Sequence, residues 1–206
     1  MGTEGNVRRL GVFGGTFDPI HAGHVTAATE VLDDFDLDRV LFVPAGTPWQ
    51  KDGYSPAEDR WTMTVLATEG DPRFQASRME IDRKGPTYTV DTMAILRDFY
   101  GPEVEMYFVA GADALLTLGT WHGVESLAGL ADVIAVPRPG YDAAAFRPRD
   151  AWPRVHFATT SEVDLSSTEI RRRAASGLPI DGLVPVAVAQ YVRERGLYAP
   201  VKERSA

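Results

Sequence analysis

The 206-residue chain contains no cysteine. A disulfide framework, a thiol nucleophile and a cysteine-based metal site are therefore excluded. No apolar run approaches the roughly 20 residues that a membrane helix needs. The N-terminal region offers only Arg8 and Arg9 before a short apolar run, which is not a signal peptide. We therefore expect a cytoplasmic protein without a membrane partner.

Positive charge is also scarce. The chain carries 21 Lys and Arg against 29 Asp and Glu, for a formal net charge of −8. This is the wrong sign for a general nucleic-acid binder, because nucleic-acid affinity depends on cations that neutralise phosphates. An acidic protein can still bind a phosphate where its cations are concentrated. A basic residue beside a glycine-rich turn is therefore informative in this chain.

Residues 14–24, GGTFDPIHAGH, are the most informative stretch. The apolar run from Leu10 to Phe13 predicts a buried strand before it, and the apolar spacing from Val25 to Phe35 predicts a helix after it. The glycines and histidines then lie on a strand-to-helix turn, where open α/β sheets bind nucleotides. Neither a serine nucleophile nor a Walker lysine accompanies them. The stretch therefore indicates a protein that acts on a nucleotide by binding and positioning its phosphates, rather than by covalent catalysis.

The rest of the chain alternates predicted strands with predicted helices. This alternation predicts an α/β fold: a doubly wound, Rossmann-like parallel sheet with helices on both faces. Another three-layer α/β topology is the alternative, and the strand order stays open. At this length we expect one domain, 1–206, with a C-terminal helical part at about 165–198 packed on it. In the helix predicted over 57–68, the spacing places four residues on the inner side: Trp61, Thr64, Val65 and Thr68.

Two later turns carry candidate anion-binding or ribose-binding groups. Asp113 follows a predicted strand, where a carboxylate holds a ribose hydroxyl pair or merely caps the next helix. Ser166 or Ser167 is expected to cap a helix that has Arg171 one turn in. That helix start is either a second anion site or an ordinary capped helix with a solvated basic face.

Two further positions have equally open interpretations. Thr89 is expected to cap the helix that follows it, and capping alone explains a threonine there. Trp121 lies outside any clear apolar period, so it is either core filler or a stacking surface.

Several separate stretches together resemble one known family. Residues 14–24 are similar to the G-G-[ST]-F-D-P-x-H-x-G-H signature of a nucleotidyltransferase superfamily. Four further segments resemble family patterns: F-x-P-x-x-x-P-x-x-K from Phe42 to Lys51, [ST]-Y-T-x-D-T at 87–92, G-A-D at 111–113 and S-S-T-x-[IL]-R at 166–171. With residues 184–198, these stretches resemble the bacterial nicotinate-nucleotide adenylyltransferases along nearly the whole chain. The Y-T-x-D-T segment and Trp121 narrow the resemblance to pyridine nucleotides.

The resemblance implies transfer of AMP from ATP to nicotinate mononucleotide, giving deamido-NAD and pyrophosphate in a late step of NAD biosynthesis. It implies in-line attack without a covalent intermediate, and Mg²⁺ that is bound with ATP rather than at a dedicated protein site. The implied partners are ATP and nicotinate mononucleotide, and a homo-oligomer stays open. Two alternatives remain: a related adenylyl- or cytidylyltransferase with another acceptor, or a non-catalytic nucleotide-binding regulator.

The resemblance also assigns residues to roles. Four residues are expected to be catalytic: His21, His24, Lys51 and Arg171. Seven are expected to bind ATP: Gly14, Gly15, Thr16, Phe17, Asp113, Ser167 and Thr168. Three are expected to bind nicotinate: Tyr88, Thr89 and Trp121. Three residues match no motif and have open roles: Trp49, Arg138 and Arg147.

Overall fold

The computed structural model describes residues 7–47, 53–138, 140–142, 146–161 and 163–199. Lys51 and Trp49 lie outside these ranges, so the expected phosphate contact of Lys51 stays a prediction. In the part of the chain that the structure describes, no helix is long and apolar enough to cross a membrane.

Within these ranges, six strands paired in parallel form one sheet, and numbered along the chain they lie in the order β3-β2-β1-β4-β5-β6. Their bounds are β1 Arg9–Gly15, β2 Arg39–Pro44, β3 Phe74–Ala76, β4 Glu105–Gly111, β5 Asp132–Val136 and β6 Val155–Phe157. This is the doubly wound order, and it confirms the predicted fold class. Strands β2 and β3 are added to one side of β1, and β4 begins the half of the sheet on its other side. A crevice therefore opens at the carboxyl ends of these two neighbouring strands, where such sheets bind ligands.

The described ranges contain six α-helices and one 3-10 helix, of which the last two α-helices follow β6 and the others lie between strands. Their bounds are α1 Ala22–Asp34, α2 Ala57–Thr68, α3 Thr89–Tyr100, the 3-10 helix Ala112–Thr120, α4 Val124–Leu127, α5 Ser167–Ala175 and α6 Val186–Arg195. They cover both faces of the sheet, because successive strand side chains point to opposite sides. Val12 packs with Met93 and Leu127 on one face, whereas Phe13 packs with Val31 on the other. Burial on both faces explains the near-continuous apolar strands.

The C-terminal helices pack on the α1 face of the sheet. Ile170 and Val188 belong to the same buried cluster as Phe13. The Tyr191 hydroxyl also donates to Asp59 Oδ1 at 2.7 Å, which joins α6 to α2. This shared core supports a single domain, which stays a prediction.

The buried face of α2 differs from the predicted one. Thr64 and Thr68 are buried as expected, but Trp61 and Val65 are only half-buried. Arg60 is instead wholly buried, together with other inward residues of α2: Asp59, Met63 and Ala67. The expectation for Trp61 and Val65 was wrong because polar partners draw Asp59 and Arg60 inward. Apolar periodicity cannot register such partners.

Candidate active site

The two glycines of the first motif are the last residues of β1. A Cβ atom at Gly14 would lie 2.9 Å from the Phe108 ring, and one at Gly15 would lie 2.7 Å from the Phe17 ring. Both distances are far inside van der Waals contact. The structure therefore gives these glycines a packing reason, in addition to the close phosphate approach that the sequence suggests.

Thr16 and Phe17 form the turn after β1. Phe17 has a φ of 51°, in the left-handed region that side-chain-bearing residues seldom adopt. The residue is 2% exposed, and its ring meets the His24 ring edge-on, with 5.2 Å between ring centres. Because the ring belongs to the core, Phe17 can reach a phosphate only through its backbone.

The two histidines stack at the start of α1. Their ring centres are 3.7 Å apart, and the rings are 26° from parallel. His21 occupies the N-cap position, and its backbone N–H donates to Nδ1 of His24 at 3.2 Å. Because Nδ1 accepts, the proton of a neutral His24 ring lies on Nε2, which is then the donor of the ring.

His21 is almost fully buried, with 2% of its surface exposed. Burial, together with the positive charge of Arg138, lowers the pKa of His21 to about 4 from its ordinary value of 6.5. Its Nδ1 has no hydrogen-bond partner within the described ranges. At neutral pH this ring is therefore an uncharged group that retains hydrogen-bonding capacity at the turn.

The depressed pKa predicts a pH-dependent stability. Since the pKa is lowered in the folded state, the unfolded chain binds the proton more tightly, and stability is lost as the pH falls from 6.5 toward 4. Between about pH 7.5 and about pH 5, this single group should lower the free energy of unfolding by roughly 2 kcal/mol. Urea unfolding of the wild type and of His21→Gln at both pH values measures the effect. His122→Gln, at an exposed histidine, is the matched control. An unchanged pH dependence in His21→Gln would exclude His21 as its source.

A shallow, open cleft runs beside His24. Phe13 and Val136 contribute apolar wall, and Arg138 contributes a cation. Gly23 lies against the buried ring, because a Cβ there would sit 3.1 Å from Nδ1 of His21. An apolar wall with one cation and a histidine at its edge fits a flat, partly charged ligand.

The first turn of α5 is bound to the histidine-containing turn. Of the two serines that the sequence offers as a cap, Ser166 caps the helix, because its hydroxyl accepts the Glu169 N–H at 3.2 Å. The Ser167 hydroxyl donates to the Pro19 carbonyl at 2.9 Å, and Arg171 Nη1 donates to the Asp18 carbonyl at 2.7 Å. The Ser167 proton is thus already engaged. Anion binding at this helix start therefore depends on its backbone N–H groups and the remaining Arg171 donors.

Thr168 lies beside Arg171 on the same helix turn. Its hydroxyl oxygen accepts from Arg171 Nη2 at 3.3 Å. The hydroxyl proton of Thr168 remains a donor while the oxygen accepts.

Asp113 lies on the 3-10 helix after β4. Its carboxylate is 69% exposed, and Oδ1 lies 3.8 Å from Nε of Arg138. Gly111 occupies the N-cap position and no side chain caps this helix, so Asp113 is not a cap. A Cβ at Gly111 would collide with the Asp113 carboxylate. Asp113 is thus an exposed acid just after β4, and its contact with a ribose stays a prediction.

The structure brings Tyr88, Thr89 and Trp121 to one end of α3. The Tyr88 ring stacks on His122, with 4.4 Å between ring centres, while Trp121 meets the Phe108 ring edge-on at 5.7 Å. The expectation that Thr89 caps the helix was wrong. Tyr88, with an extended backbone, takes the N-cap position, and no side chain caps α3. Thr89 is the first helical residue, so its N–H belongs to the uncapped first turn.

Sequence reasoning missed a buried polar network behind this site. Asp18 is 3% exposed; its Oδ1 accepts the Tyr198 hydroxyl at 2.7 Å, and its Oδ2 accepts the Ser55 N–H at 3.0 Å. Burial, together with Asp18, raises the pKa of Tyr198, so Tyr198 stays a donor. Arg60 lies nearby, wholly buried. Asp18 was inside the recognised motif, but nothing in the sequence linked it to Tyr198.

Residues 12–173 match the family model described as cytidylyltransferase-like. With the doubly wound sheet and the paired histidines at its first turn, this match places the chain in the nucleotidyltransferase class.

Individual relatives identify the family within this class. The chain is 53% identical to the Saccharopolyspora erythraea protein described as "Probable nicotinate-nucleotide adenylyltransferase", over 93% of this chain and 90% of that one. A Corynebacterium kroppenstedtii protein with the same description is 48% identical, over 97% and 95%. The chain belongs to the nicotinate-nucleotide adenylyltransferase family.

A solved structure shows the same fold. It is the Plasmodium falciparum nicotinic acid mononucleotide adenylyltransferase complexed with NaAD, with a TM-score of 0.73. The match covers 93% of this chain and 97% of that one, at 18% sequence identity.

Proposed function

We propose that this protein transfers the adenylyl group of ATP to nicotinate mononucleotide, giving deamido-NAD and pyrophosphate. The stacked His21–His24 pair at the turn between β1 and α1 is the observation that carries the proposal. Family membership and the NaAD complex of the similar Plasmodium falciparum protein support the choice of donor and acceptor.

The reaction requires alignment and charge stabilisation rather than a protein nucleophile. A phosphate oxygen of the acceptor attacks the α-phosphorus of ATP, and a new P–O bond forms. The bond from the α-phosphorus to the bridging oxygen breaks, and its electron pair leaves with pyrophosphate. Negative charge develops on the α-phosphate oxygens, where the Nε2–H of His24 donates. Neutral His21 supports the same phosphates without adding a charge.

The turn after β1 and the start of α5 supply further anion contacts in this proposal. Gly14 to Phe17 offer backbone amides and the Thr16 hydroxyl, and the first turn of α5 offers further amides beside Thr168 and Arg171. Lys51, outside the described residues, supplies a cation in this proposal. Asp113 accepts the adenosine ribose hydroxyls, and the cleft beside His24 takes the adenine.

Tyr88, Thr89 and Trp121 hold the nicotinate ring in this proposal. The N–H groups at the uncapped start of α3 donate to the nicotinate carboxylate. Trp121 is packed against Phe108, so it offers only its exposed part to the ring. In this proposal Trp121 is both a partly buried core residue and a stacking surface for the nicotinate ring.

Mg²⁺ fits this site as a companion of ATP. In the described ranges, no group of three or more His, Asp or Glu side chains could hold a metal ion. The Asp18 carboxylate is bound to Tyr198 and Ser55, and Asp113 stands alone beside Arg138. We therefore propose that Mg²⁺ is held by the ATP phosphates and water, where it neutralises phosphate charge.

This proposal predicts the metal content of the purified protein. After washing with chelator, the protein should contain no stoichiometric magnesium or zinc, and activity should return when Mg²⁺ is added with ATP. Elemental analysis and a pyrophosphate-release assay measure the two quantities. Tightly retained, stoichiometric zinc would contradict the proposal.

A pyrophosphate-release assay with ATP and three acceptors tests the function. Nicotinate mononucleotide should be the best acceptor among nicotinate mononucleotide, nicotinamide mononucleotide and phosphopantetheine. Release with phosphopantetheine alone would favour the alternative acceptor class. Absence of release with all three, despite ATP binding, would favour a nucleotide-binding regulator.

A further inference from the structure

Arg60 of α2 is a wholly buried cation whose hydrogen bonds to described residues all go to backbone carbonyls. Its surface is 0% exposed. The guanidinium binds four carbonyl oxygens: Ser55 at 3.1 Å, Thr16 at 3.0 Å, Ala45 at 2.6 Å and Gly46 at 3.0 Å. The Tyr54 ring covers it, with its centre 5.3 Å from the guanidinium carbon. A charge is expensive to bury unless it is hydrogen-bonded, so this placement depends on all these partners.

Three of the four carbonyls belong to the two turns that border the candidate active site, and the fourth, that of Ser55, lies just before α2. Thr16 follows β1, whereas Ala45 and Gly46 follow β2, the neighbouring strand. Gly46 has a steric reason to be glycine, because a Cβ there would collide with the Glu80 carbonyl. One planar guanidinium therefore holds both turns at a set distance from each other.

The contact with Thr16 also sets the direction of one amide. In a trans peptide, the C=O of one residue and the N–H of the next point in opposite directions. Since the Thr16 carbonyl faces Arg60, the Phe17 N–H points away from Arg60. Phe17 holds a φ of 51°, a conformation that needs external support. No described residue accepts the Phe17 N–H.

We propose that Arg60 is a positioning residue for adenylyl transfer, which orients the Thr16–Phe17 peptide so that its N–H faces the ATP phosphates. The guanidinium also polarises this peptide, which strengthens the opposite N–H as a donor. The proposal rests on the proposed function, because the phosphates are those of its donor substrate. Arg60 acts only through the backbone and touches no substrate.

Arg97 provides a matched control within the same chain. Its guanidinium binds four backbone carbonyls as well: Gly101 at 3.0 Å, Pro102 at 3.2 Å, Val104 at 2.6 Å and Leu130 at 2.7 Å. These carbonyls precede β4 and β5, at the edge of the sheet opposite the candidate active site. Replacing Arg97 therefore disturbs the same kind of contact without reaching the phosphate turn.

The test compares Arg60→Lys with Arg97→Lys. Lysine keeps the charge but cannot span four carbonyls, so both variants should lose thermal stability. The inhibition constants of inorganic tripolyphosphate and adenosine are measured, each in competition with ATP. They distinguish a role of Arg60 in phosphate binding from a purely structural role. Arg60→Lys should weaken tripolyphosphate by about 10-fold and lower kcat/KM by roughly 10²-fold, because small misplacements of aligned groups have effects of that size. In Arg60→Lys the inhibition constant of adenosine should stay within about twofold of the wild-type value. In Arg97→Lys both inhibition constants and kcat/KM should stay within about twofold of the wild-type values.

Each other outcome has a stated consequence. If Arg60→Lys changes only the melting temperature, as in Arg97→Lys, Arg60 is structural and the proposal is overturned. Equal weakening of adenosine and tripolyphosphate also overturns it. If Arg60→Lys does not fold, Tyr54→Leu loosens the guanidinium, and a loss of about threefold in tripolyphosphate affinity alone supports the proposal. No loss there overturns it. If the wild-type protein releases no pyrophosphate, the proposed function is refuted. The role of Arg60 can then still be tested by comparing tripolyphosphate binding to the wild type and to Arg60→Lys by calorimetry.

Discussion

His24→Ala is expected to lower kcat by about 10²–10³-fold, the usual effect of removing one donor to a developing negative charge. The His24 ring is held in place by the His21 stack and by the His21 N–H on Nδ1, so Nε2 bears the proton. Its contribution grows as charge develops on the α-phosphate. The KM for ATP should therefore change much less than kcat. Steady-state kinetics with saturating nicotinate mononucleotide measure both.

Two variants make the His24 result specific. His24→Gln keeps an N–H at similar reach, so its loss should be smaller, about 10-fold. His156→Gln removes a histidine of the edge strand β6 that pairs at 2.8 Å with Asp132, the first residue of β5, and it should leave kcat unchanged. If His24→Ala altered only the melting temperature, the ring would be a helix cap and not a catalytic group.

The second large effect concerns the choice of acceptor. Nicotinate mononucleotide should be preferred over the nicotinamide form by at least about 10-fold in kcat/KM, or about 1.4 kcal/mol. The first turn of α3 carries no side-chain cap, so its N–H groups suit a carboxylate. Charge-assisted hydrogen bonds of this kind are stronger than bonds to a neutral amide. Initial rates with each acceptor at saturating ATP measure the ratio.

Two substitutions locate this preference within the pocket. Thr89→Val keeps the shape of the side chain but removes the hydroxyl at the helix start, so the gap between acceptors should narrow. Trp121→Ala should weaken both acceptors alike, because an aromatic surface distinguishes acid from amide only slightly. Equal kcat/KM for the two acceptors in the wild type would contradict the assignment of this pocket to nicotinate. It would not contradict the proposal that the protein transfers an adenylyl group.

Local sequence patterns are sufficient to predict several elements of the fold. The apolar runs of β1 and β5 are recognisable because both faces of a parallel sheet are buried. The Ser166 cap is equally local, since a capping side chain bonds an N–H three residues away. The bounds of helix α6 are local in the same way, because Pro185 precedes the helix and Gly196, in a left-handed conformation, follows it. These features depend on neighbours a few residues away, and the sequence displays those neighbours directly.

The sequence by itself therefore determined the α/β class, the first histidine-containing turn and the capped start of α5. Tertiary structure alone decided the strand order, the inward turn of Arg60 and the bond from Tyr198 to Asp18, 180 positions apart. Periodicity predicts burial from apolarity, so it assigns a charged side chain to solvent. Arg60 is buried because four distant carbonyls replace its water, and only the packed chain brings those carbonyls together.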